Sequence, residues 1–455
     1  MNHKALLLLL PLAACAPPLP KPNTDVAVQG YLPGQNVTAS PVPEAWWTIF
    51  GNPGLNALEA KGQTANPDIG QAAQNLAAAA QNAVAANGAF LPQIGLNPAG
   101  SPALSRQSYP TGPNGSPPYT IYALTGQISY DPGLFGARHY TFENGQALTE
   151  YQAAELDAAR QSVAGNIAAA AIGLAGAQAQ IATTQDIITA EQRLLTLLQG
   201  EYADGAIPEL NVLQQQGVIL AAQATLPPLQ NQAQAQRDRL AILTSTLPAD
   251  FTDPGIMLDQ LILPAKIPIL LPSAYLANRP DIRAARAQVA AQNAALGVAV
   301  AHLYPDVSLT ASGGYAAGTL GALFNTSSAL WTLAGNLLVP LYEGGELHAH
   351  KEAAQAELAA ALYAYRGAVL GAFGQAADAL SAVQTGQITL ARAQAAASTA
   401  DAAYNLAAAQ YQLGAVDYTT VLTAQANAAQ AALTQTQERT NLLLAIASLQ
   451  AAMAK

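Results

Sequence analysis

The sequence predicts a mainly α-helical chain with a small β part, built from two halves that share one plan. Three observations carry this prediction. Short motifs recur at a fixed distance, two long stretches lack proline, and short segments between the predicted helices alternate apolar with polar residues. A repeat of this length indicates a duplicated half, because solenoid units repeat every ~20 to 50 residues.

The composition excludes several classes of protein. Of the 455 residues, 51% are hydrophobic and 10% are charged, and the formal net charge is -10. Ordinary soluble domains carry ~25% charged residues, so this chain is not a disordered polyelectrolyte, and its acidic balance argues against a nucleic-acid partner. A mean hydropathy of +0.17 and the lack of any apolar run of ~18 residues exclude a bundle of membrane-spanning helices.

The N-terminus has the pattern of a secreted and lipidated bacterial chain. Lys4 precedes an apolar run that ends in small residues before the single cysteine, Cys15, which predicts a signal peptide over residues 1–14. Leu12-Ala13-Ala14-Cys15 is similar to the bacterial lipobox, so we expect palmitate or related acyl chains on Cys15. Ala16, where an aspartate would indicate retention in the inner membrane, favours the outer membrane.

Four pairs of motifs define the internal repeat, and the members of the first two pairs are each 213 residues apart. The pairs are Asn66–Ile69 with Arg279–Ile282, Phe90–Ile94 with Leu303–Val307, Asp131–Gly136 with Val339–Gly344, and Tyr202–Gly205 with Tyr411–Gly414. Each half is therefore predicted to contain a shorter helix, two strands, a long helix, a turn and a return helix.

The stretches without proline predict unusually long helices. A helix of ~60 residues is ~90 Å long, and an alanine-rich helix of that length needs close neighbours along many turns because it buries little area per residue. The predicted helices are Arg138–Gln199, Glu209–Thr246 with a mild interruption at Pro227-Pro228, Glu346–Gln412, and Asp417–Met453.

Four segments between the helices have the two-residue period of β-strands. Val307, Leu309 and Ala311 form an apolar face opposite Ser308 and Thr310, as in a strand between lipid and water. The alternative is a soluble β-sandwich. Membrane strands occur only in closed barrels of at least ~8 strands, so four strands per chain would have to be pooled by several chains. The segments are Ile94–Leu104, broken by Pro98 and Pro102, then Tyr122–Tyr130, Val307–Tyr315 and Trp331–Leu337.

Several of these motifs together match one family. They are Trp46-Trp47, Phe50, Leu55 and Leu58 before Asn66–Ile69, then Asn278–Ile282, Tyr304-Pro305, Pro340–Gly345, and Gly414 with Tyr418, Val421-Leu422 and Ala424-Gln425. The mature chain resembles TolC-like outer-membrane factors along nearly its whole length, most closely the lipoprotein branch that serves resistance-nodulation-division (RND) efflux pumps. The resemblance implies a trimeric outer-membrane β-barrel, with four strands per chain and twelve in total, continuous with a long periplasmic α-helical barrel and an equatorial belt. It also implies that the shorter helices stack end to end, so that a helix over Asn56–Leu91 and the return helix together approximate one long helix.

The resemblance also implies a function. Family members are passive exit ducts for small molecules, without catalysis or cofactor. An inner-membrane RND transporter supplies energy, and a periplasmic adaptor, a membrane fusion protein, joins it to the homotrimeric duct in the outer-membrane lipid. The turns at Gly205 and Gly414 would be the periplasmic tips that meet the adaptor, and Tyr411 would occupy a gate position.

One departure from the family pattern affects this gate. Relatives commonly carry aspartate in the segment after the second turn, where this chain has Thr423. Asp417 and Glu209 are the alternative sources of an acidic constriction, which would favour cations. Both are equally explained as solvated groups at helix ends, and Asp417 as a helix N-cap.

The predicted division of the chain follows from the repeat and the leader. It comprises a signal peptide, 1–14; a lipidated segment and part of the belt, 15–54; a first repeat, 55–247; an equatorial linker, 248–272; and a second repeat, 273–455.

Two other functions stay open at this point. The first is a type I protein secretion duct, and the second is a lipid-anchored coiled-coil scaffold without a pore; the apolar strand faces argue against the scaffold. An enzyme is not predicted. His348 and His350 lie two apart on a helix and do not face each other, and there is no phosphate-binding loop with lysine and no nucleophile elbow.

Overall fold

The computed structural model describes residues 19, 22, 37–39, 43–96, 104–109, 119–264, 267–269 and 279–453. Cys15, the predicted signal peptide and Asn278 lie outside these residues. The described part is mostly helical. Its helices are α1 (Pro53–Ala65), α2 (Pro67–Gly88), α3 (Ala137–Ala203), α4 (Glu209–Ala224), α5 (Leu226–Leu243), α6 (Pro280–Ala301), α7 (Glu346–Gln412) and α8 (Tyr418–Met453).

The two long helices form where the sequence predicts them. α3 and α7 each contain 67 residues, which corresponds to a length of about 100 Å. Both are rich in good helix formers and contain no proline. Among the helices in the described ranges, only the region Leu134–Ala203 contains an 18-residue window apolar enough to cross a membrane, and 56% of that window is buried.

The helix predicted over Asn56–Leu91 is wrong as a single element, because it consists of α1 and α2. Asn66 has an extended backbone, with φ -64° and ψ 129°. A residue before proline is driven out of the helical region by the proline ring, and Pro67 follows here. The Asn66 Oδ1 accepts a 2.9 Å hydrogen bond from the Asp68 amide, which caps the first turn of α2.

The return helix of the first half is also divided, close to the predicted interruption. α4 ends before Thr225, and α5 begins with Leu226 and carries Pro227 in its first turn. Proline is tolerated there because the first amides of a helix have no intrahelical partner.

Five strands form one antiparallel sheet: β2 (Gln93–Gly95), β3 (Leu104–Tyr109), β4 (Tyr119–Tyr130), β6 (Asp306–Ala317) and β7 (Ala329–Leu338). The order is β2-β4-β6-β7, and β3 also pairs with β4. β2 and β3 both pair with residues of β4 that pair with β6 as well, so they share the other edge of β4. The predicted strand Ile94–Leu104 overlaps β2 at Ile94 and Gly95 and β3 only at Leu104, and residues 97–103 lie outside the described part of the chain. Separately, β1 (Val37–Ala39) runs parallel to β5 (Ile267–Ile269).

The strand register sorts apolar and polar side chains onto opposite faces, as the alternation predicts. One face carries Ile128, Ala311 and Leu333 as cross-strand neighbours, and the other carries Gln127, Ser312 and Thr332. Register is set by this period of two, since a slip by one residue would exchange the faces. The apolar face is open to its surroundings, with Trp331 80% and Leu333 70% exposed.

The contacts divide the chain into two compact units, each made from both halves of the sequence. One contains Gln74–Ala153 and Ala284–Gly367, and the other contains Ala154–Arg283 and Ala368–Lys455. In the first unit, α6 approaches α3 so closely that a Cβ on Gly297 would lie 2.3 Å from the ring of Tyr140. In the second, a Cβ on Gly176 would lie 2.5 Å from Thr440. Small residues therefore permit the close helix approach.

The predicted equatorial linker is described over residues 248–264 and 267–269, and its first part packs on the helices through arginine side chains. Arg237 donates a 2.8 Å hydrogen bond to the carbonyl of Phe251. Arg439 on α8 donates to the carbonyls of Leu258, at 3.3 Å, and Leu261, at 3.2 Å. These bonds satisfy backbone acceptors that lie outside the α-helices and strands.

Candidate functional site

The two predicted tips have the same backbone geometry. Gly205 ends α3 with φ +74°, and Gly414 ends α7 with φ +71°. In each turn the residue after the glycine donates a hydrogen bond back across the turn, from Ala206 to the carbonyl of Glu201 at 2.8 Å and from Ala415 to that of Gln410 at 2.9 Å. This is the glycine-terminated helix end that positive φ allows. The repeat therefore extends to the detail of the turns.

Close to these turns, Tyr411 connects the helical hairpin formed by α7 and α8 to the helical hairpin formed by α3 and α4. Its hydroxyl donates a 2.8 Å hydrogen bond to Glu201 on α3, and its ring centre lies 6.0 Å from that of Tyr418 on α8. Burial and the hydrogen-bonded, charged Glu201 raise the pKa of Tyr411 to about 12. Tyr411 is therefore a protonated donor at neutral pH.

The structure places the acidic candidates on the surface of the tips. Asp417 caps α8: its Oδ1 accepts hydrogen bonds from the hydroxyl of Thr420 at 2.6 Å and from the Thr420 amide at 2.9 Å. These bonds lower the pKa of Asp417. Glu209 is the exposed first residue of α4, and the exposed Thr423 donates to the carbonyl of Thr419 at 2.9 Å. The helix N-cap interpretation of Asp417 thus accounts for its geometry.

A buried polar cluster behind the tips is not predicted by the sequence analysis. Glu191 on α3 accepts through Oε2 from Gln215 on α4, at 2.5 Å, and from Gln425 on α8. The Oε1 of Gln215 accepts a 2.5 Å hydrogen bond from the Tyr418 hydroxyl. Burial raises the pKa of Glu191, although the hydrogen bond from Gln215 opposes that change.

Heptad spacing is the one sequence feature that indicates which positions of this cluster could lie in a helix seam. On α3 the buried positions near the tip include Ile188, Glu191 and Leu198, which lie three and seven residues apart, as in the seam of a coiled coil. On α8, the buried Tyr418, Val421 and Gln425 are three and four residues apart, which fits the same seven-residue seam period. Glu191 and Gln425 therefore occupy seam positions that ordinarily carry apolar residues.

Two of the histidines lie close to a glutamate four residues away on the same helix. His139 lies 3.2 Å from Glu143, and His350 lies 3.7 Å from Glu346. Among the residues that the structure describes, no three histidine, cysteine, aspartate or glutamate side chains converge as a metal site.

Comparison with known proteins gives one family and a consistent set of relatives. The model of the family described as outer membrane efflux protein matches residues 62–246 and 271–455. The pyoverdine export outer membrane protein OpmQ of Pseudomonas putida is 30% identical over 397 residues, which are 84% of this chain and 82% of OpmQ. Nodulation protein T of Rhizobium leguminosarum bv. trifolii is 27% identical over 75% of this chain and 72% of its own length.

Solved structures share the fold. The outer-membrane channel OprN superimposes with a TM-score of 0.90 at 25% identity, covering 96% of this chain and 98% of OprN. The open state of the Neisseria gonorrhoeae MtrE outer membrane channel superimposes with a TM-score of 0.85 at 23% identity, covering 96% of this chain and 97% of MtrE.

Proposed function

The chain belongs to the outer membrane efflux protein family, and from this membership we propose that it is the outer-membrane exit duct of a tripartite efflux system. Small molecules such as drugs, toxic compounds or ions would pass through it to the cell exterior without chemical change. Relatives named for pyoverdine export and for toluene efflux support small molecules over secreted proteins as the cargo.

The observation that carries the proposal is the sheet. One of its faces is apolar and exposed, and the outer edges of β3 and β7 pair with no other strand of the described residues. Open edges cannot persist in lipid, where every backbone polar group needs a partner. If several copies of this chain close a common barrel, the strand edges pair with those of the neighbouring copies, and the apolar face lies against lipid.

The assembly follows from this closure. With β2 and β3 counted as one interrupted strand, each chain supplies four strands, so a homotrimer supplies twelve. We assign the tips at Gly205, Glu209, Tyr411, Gly414, Asp417 and Thr423 to a periplasmic gate that meets a membrane fusion protein, which connects the duct to an inner-membrane RND transporter. The division into residues 1–14, 15–54, 55–247, 248–272 and 273–455 is part of the proposal, and the two family matches support it.

Lipidation completes the proposed topology. Cys15 would carry palmitate and hold the N-terminus at the outer membrane, while acyl burial contributes ~0.8 kcal/mol per methylene. Replacement of Cys15 by alanine is expected to abolish the incorporation of labelled palmitate, and labelling that persists would contradict the assignment.

Reconstitution into planar lipid bilayers tests the duct directly. The purified full chain is expected to give discrete ion-conducting steps, whereas a scaffold without a pore would leave the bilayer resistance unchanged. Conductance without release of small fluorescent solutes from proteoliposomes would contradict small-molecule passage.

A further inference from the structure

We propose that a cavity where β7 meets α7 binds the headgroup of a zwitterionic phospholipid, one that carries an ammonium group and a phosphate, from the surrounding membrane. The ammonium group lies at Glu343 and Glu346, the phosphate at His348, and an acyl chain against Leu341. The inference uses the outer-membrane location of the family. It goes beyond the proposed passage of small molecules, because it concerns a lipid that stays bound to the chain.

The cavity lies in the angle between the strand and the helix. β7 ends at Leu338 and α7 begins at Glu346. Between them the chain turns at Gly344 and Gly345, with φ +63° and +88°, values that glycine adopts without strain. A Cβ on either glycine would meet no atom within 4 Å. The space beside the turn is therefore open, and the cavity there has a volume of about 290 Å³.

The apolar side of the cavity continues the exposed apolar face of the sheet. That face reaches Leu337 near the end of β7, and Leu341, four residues further on, is 92% exposed. Leu341 lines the cavity together with Leu303 and with Tyr342, which is 89% exposed. Tyrosine is typical of a membrane boundary, because its ring is apolar and its hydroxyl is polar. An acyl chain can therefore pass from the face of the sheet to the cavity along apolar surface.

The polar side of the cavity selects the headgroup. It is lined by Glu343, Glu346 and His348, which are all exposed. Two carboxylates beside one histidine disfavour an anionic headgroup, since sites for anionic headgroups are basic. An ammonium group forms charge-assisted hydrogen bonds with carboxylates, and a histidine ring N–H can donate to a phosphate oxygen. A zwitterionic headgroup therefore satisfies all three side chains.

Simpler occupants leave part of the cavity unexplained. A metal ion would make no use of Leu341 and Tyr342, and no three metal-ligating side chains converge in the part of the chain that the structure describes. An acyl chain alone would leave the two carboxylates beside lipid without a partner, which is costly. A phospholipid with an ammonium group accounts for both sides of the cavity.

Native mass spectrometry of the purified and delipidated full chain tests the site. Phosphatidylethanolamine is titrated against phosphatidylglycerol, which lacks the ammonium group. The unmodified chain should bind phosphatidylethanolamine roughly tenfold more tightly, the size expected for hydrogen bonds to a charged group. The double variant Glu343→Gln/Glu346→Gln keeps the size of both side chains and should lose this preference. Free phosphoethanolamine should not compete, because it has no chain to contact Leu341, and competition equal to that of the lipid would overturn the assignment to a phospholipid.

Matched controls separate the site from general effects. Glu357→Gln removes an exposed carboxylate further along α7 and should leave the preference unchanged. Leu341→Ser should weaken the binding of both lipids, whereas Leu370→Ser, at another exposed position of α7, should weaken neither.

Two results would overturn the proposal. One is a double variant that binds phosphatidylethanolamine as Glu357→Gln does. The other is a double variant that loses its oligomeric mass in the same spectra, which would assign the cavity to contact between copies of the chain. The bilayer conductance of the double variant should match that of the unmodified chain, so failure of the lipid site and failure of the duct can be distinguished.

Discussion

The hydroxyl of Tyr411 donates a 2.8 Å hydrogen bond to the Oε2 of Glu201, joining the last turn of α7 to the last turn of α3. The two hairpins are therefore connected next to their tips. Because burial and Glu201 raise the pKa of Tyr411 to about 12, the donor proton stays in place through the neutral range.

Loss of this hydroxyl should loosen the tips. Tyr411→Phe keeps the ring against Tyr418 and removes a hydrogen bond worth about 1 kcal/mol, so we expect a higher single-channel conductance. Tyr363→Phe, the same substitution at an exposed position of α7 remote from the tips, is the control and should leave the conductance unchanged. Equal conductance for Tyr411→Phe and the unmodified chain would remove Tyr411 from the gate.

Asp417 should stabilise the start of α8 in a pH-dependent way. Its folded pKa is lowered by the hydrogen bonds from Thr420, so its contribution is present above the unfolded value and is lost as pH falls through the folded value. Asp417→Ala should lower the unfolding temperature at neutral pH and lose that effect in acid. Asp417→Asn should retain the cap at both pH values. Circular dichroism melting curves would show a pH-independent alanine effect if this account were wrong.

Glu59 should make the fold less stable as pH rises. Its carboxyl is 0% exposed, both oxygens lack hydrogen-bond partners among the described residues, and burial raises its pKa to about 9. Between 4.5 and about 9 the unfolded chain loses this proton while the folded chain keeps it, so the free energy of unfolding falls across that interval. Glu59→Leu should gain about 1–3 kcal/mol at pH values near 8 and less in acid. A change in the free energy of unfolding that is the same at both pH values would contradict the prediction.

Gly297 should be intolerant of even a methyl group. A Cβ there would lie 2.3 Å from the rigid ring of Tyr140, so Gly297→Ala is expected to cost about 1–3 kcal/mol through overpacking. Gly70→Ala, on the exposed side of α2 with no atom within 4 Å, is the control and should gain up to about 1 kcal/mol. Chemical denaturation that ranks the two variants equally would exclude the close approach of α6 and α3.

The strands show how much could be predicted from the sequence. The alternation around Ala311 and Leu333 predicts an apolar face on each strand, because lipid and water impose a period of two, whereas the register that pairs these two residues comes from the structure. The bounds of α7 follow from its composition and from Gly414. The break at Asn66 is missed because the preference of the residue before proline is local and weak, and only the bond from Asp68 and the packing at that point fix it.

The buried polar cluster of Glu191, Gln215, Tyr418 and Gln425 could not be predicted from the sequence. Glu191, Gln215 and Gln425 are glutamine or glutamate in helices rich in such residues, so their identity does not separate them from exposed neighbours. What distinguishes them is burial against two other helices, which depends on contacts between residues more than two hundred positions apart in the chain, as in the bond from Gln425 to Glu191. Heptad spacing reduces the number of positions that could lie in the seam, but contacts with the partner helix determine which of them are buried.

The most direct test of the duct is the polypeptide mass of the detergent-solubilised protein, measured by size exclusion with multi-angle light scattering and corrected for detergent. The 46.7 kDa chain is expected to give about three times its mature mass, because closure of twelve strands needs three copies. A monomer under mild extraction would leave the edges of β3 and β7 open and would contradict a shared barrel, and with it the export function.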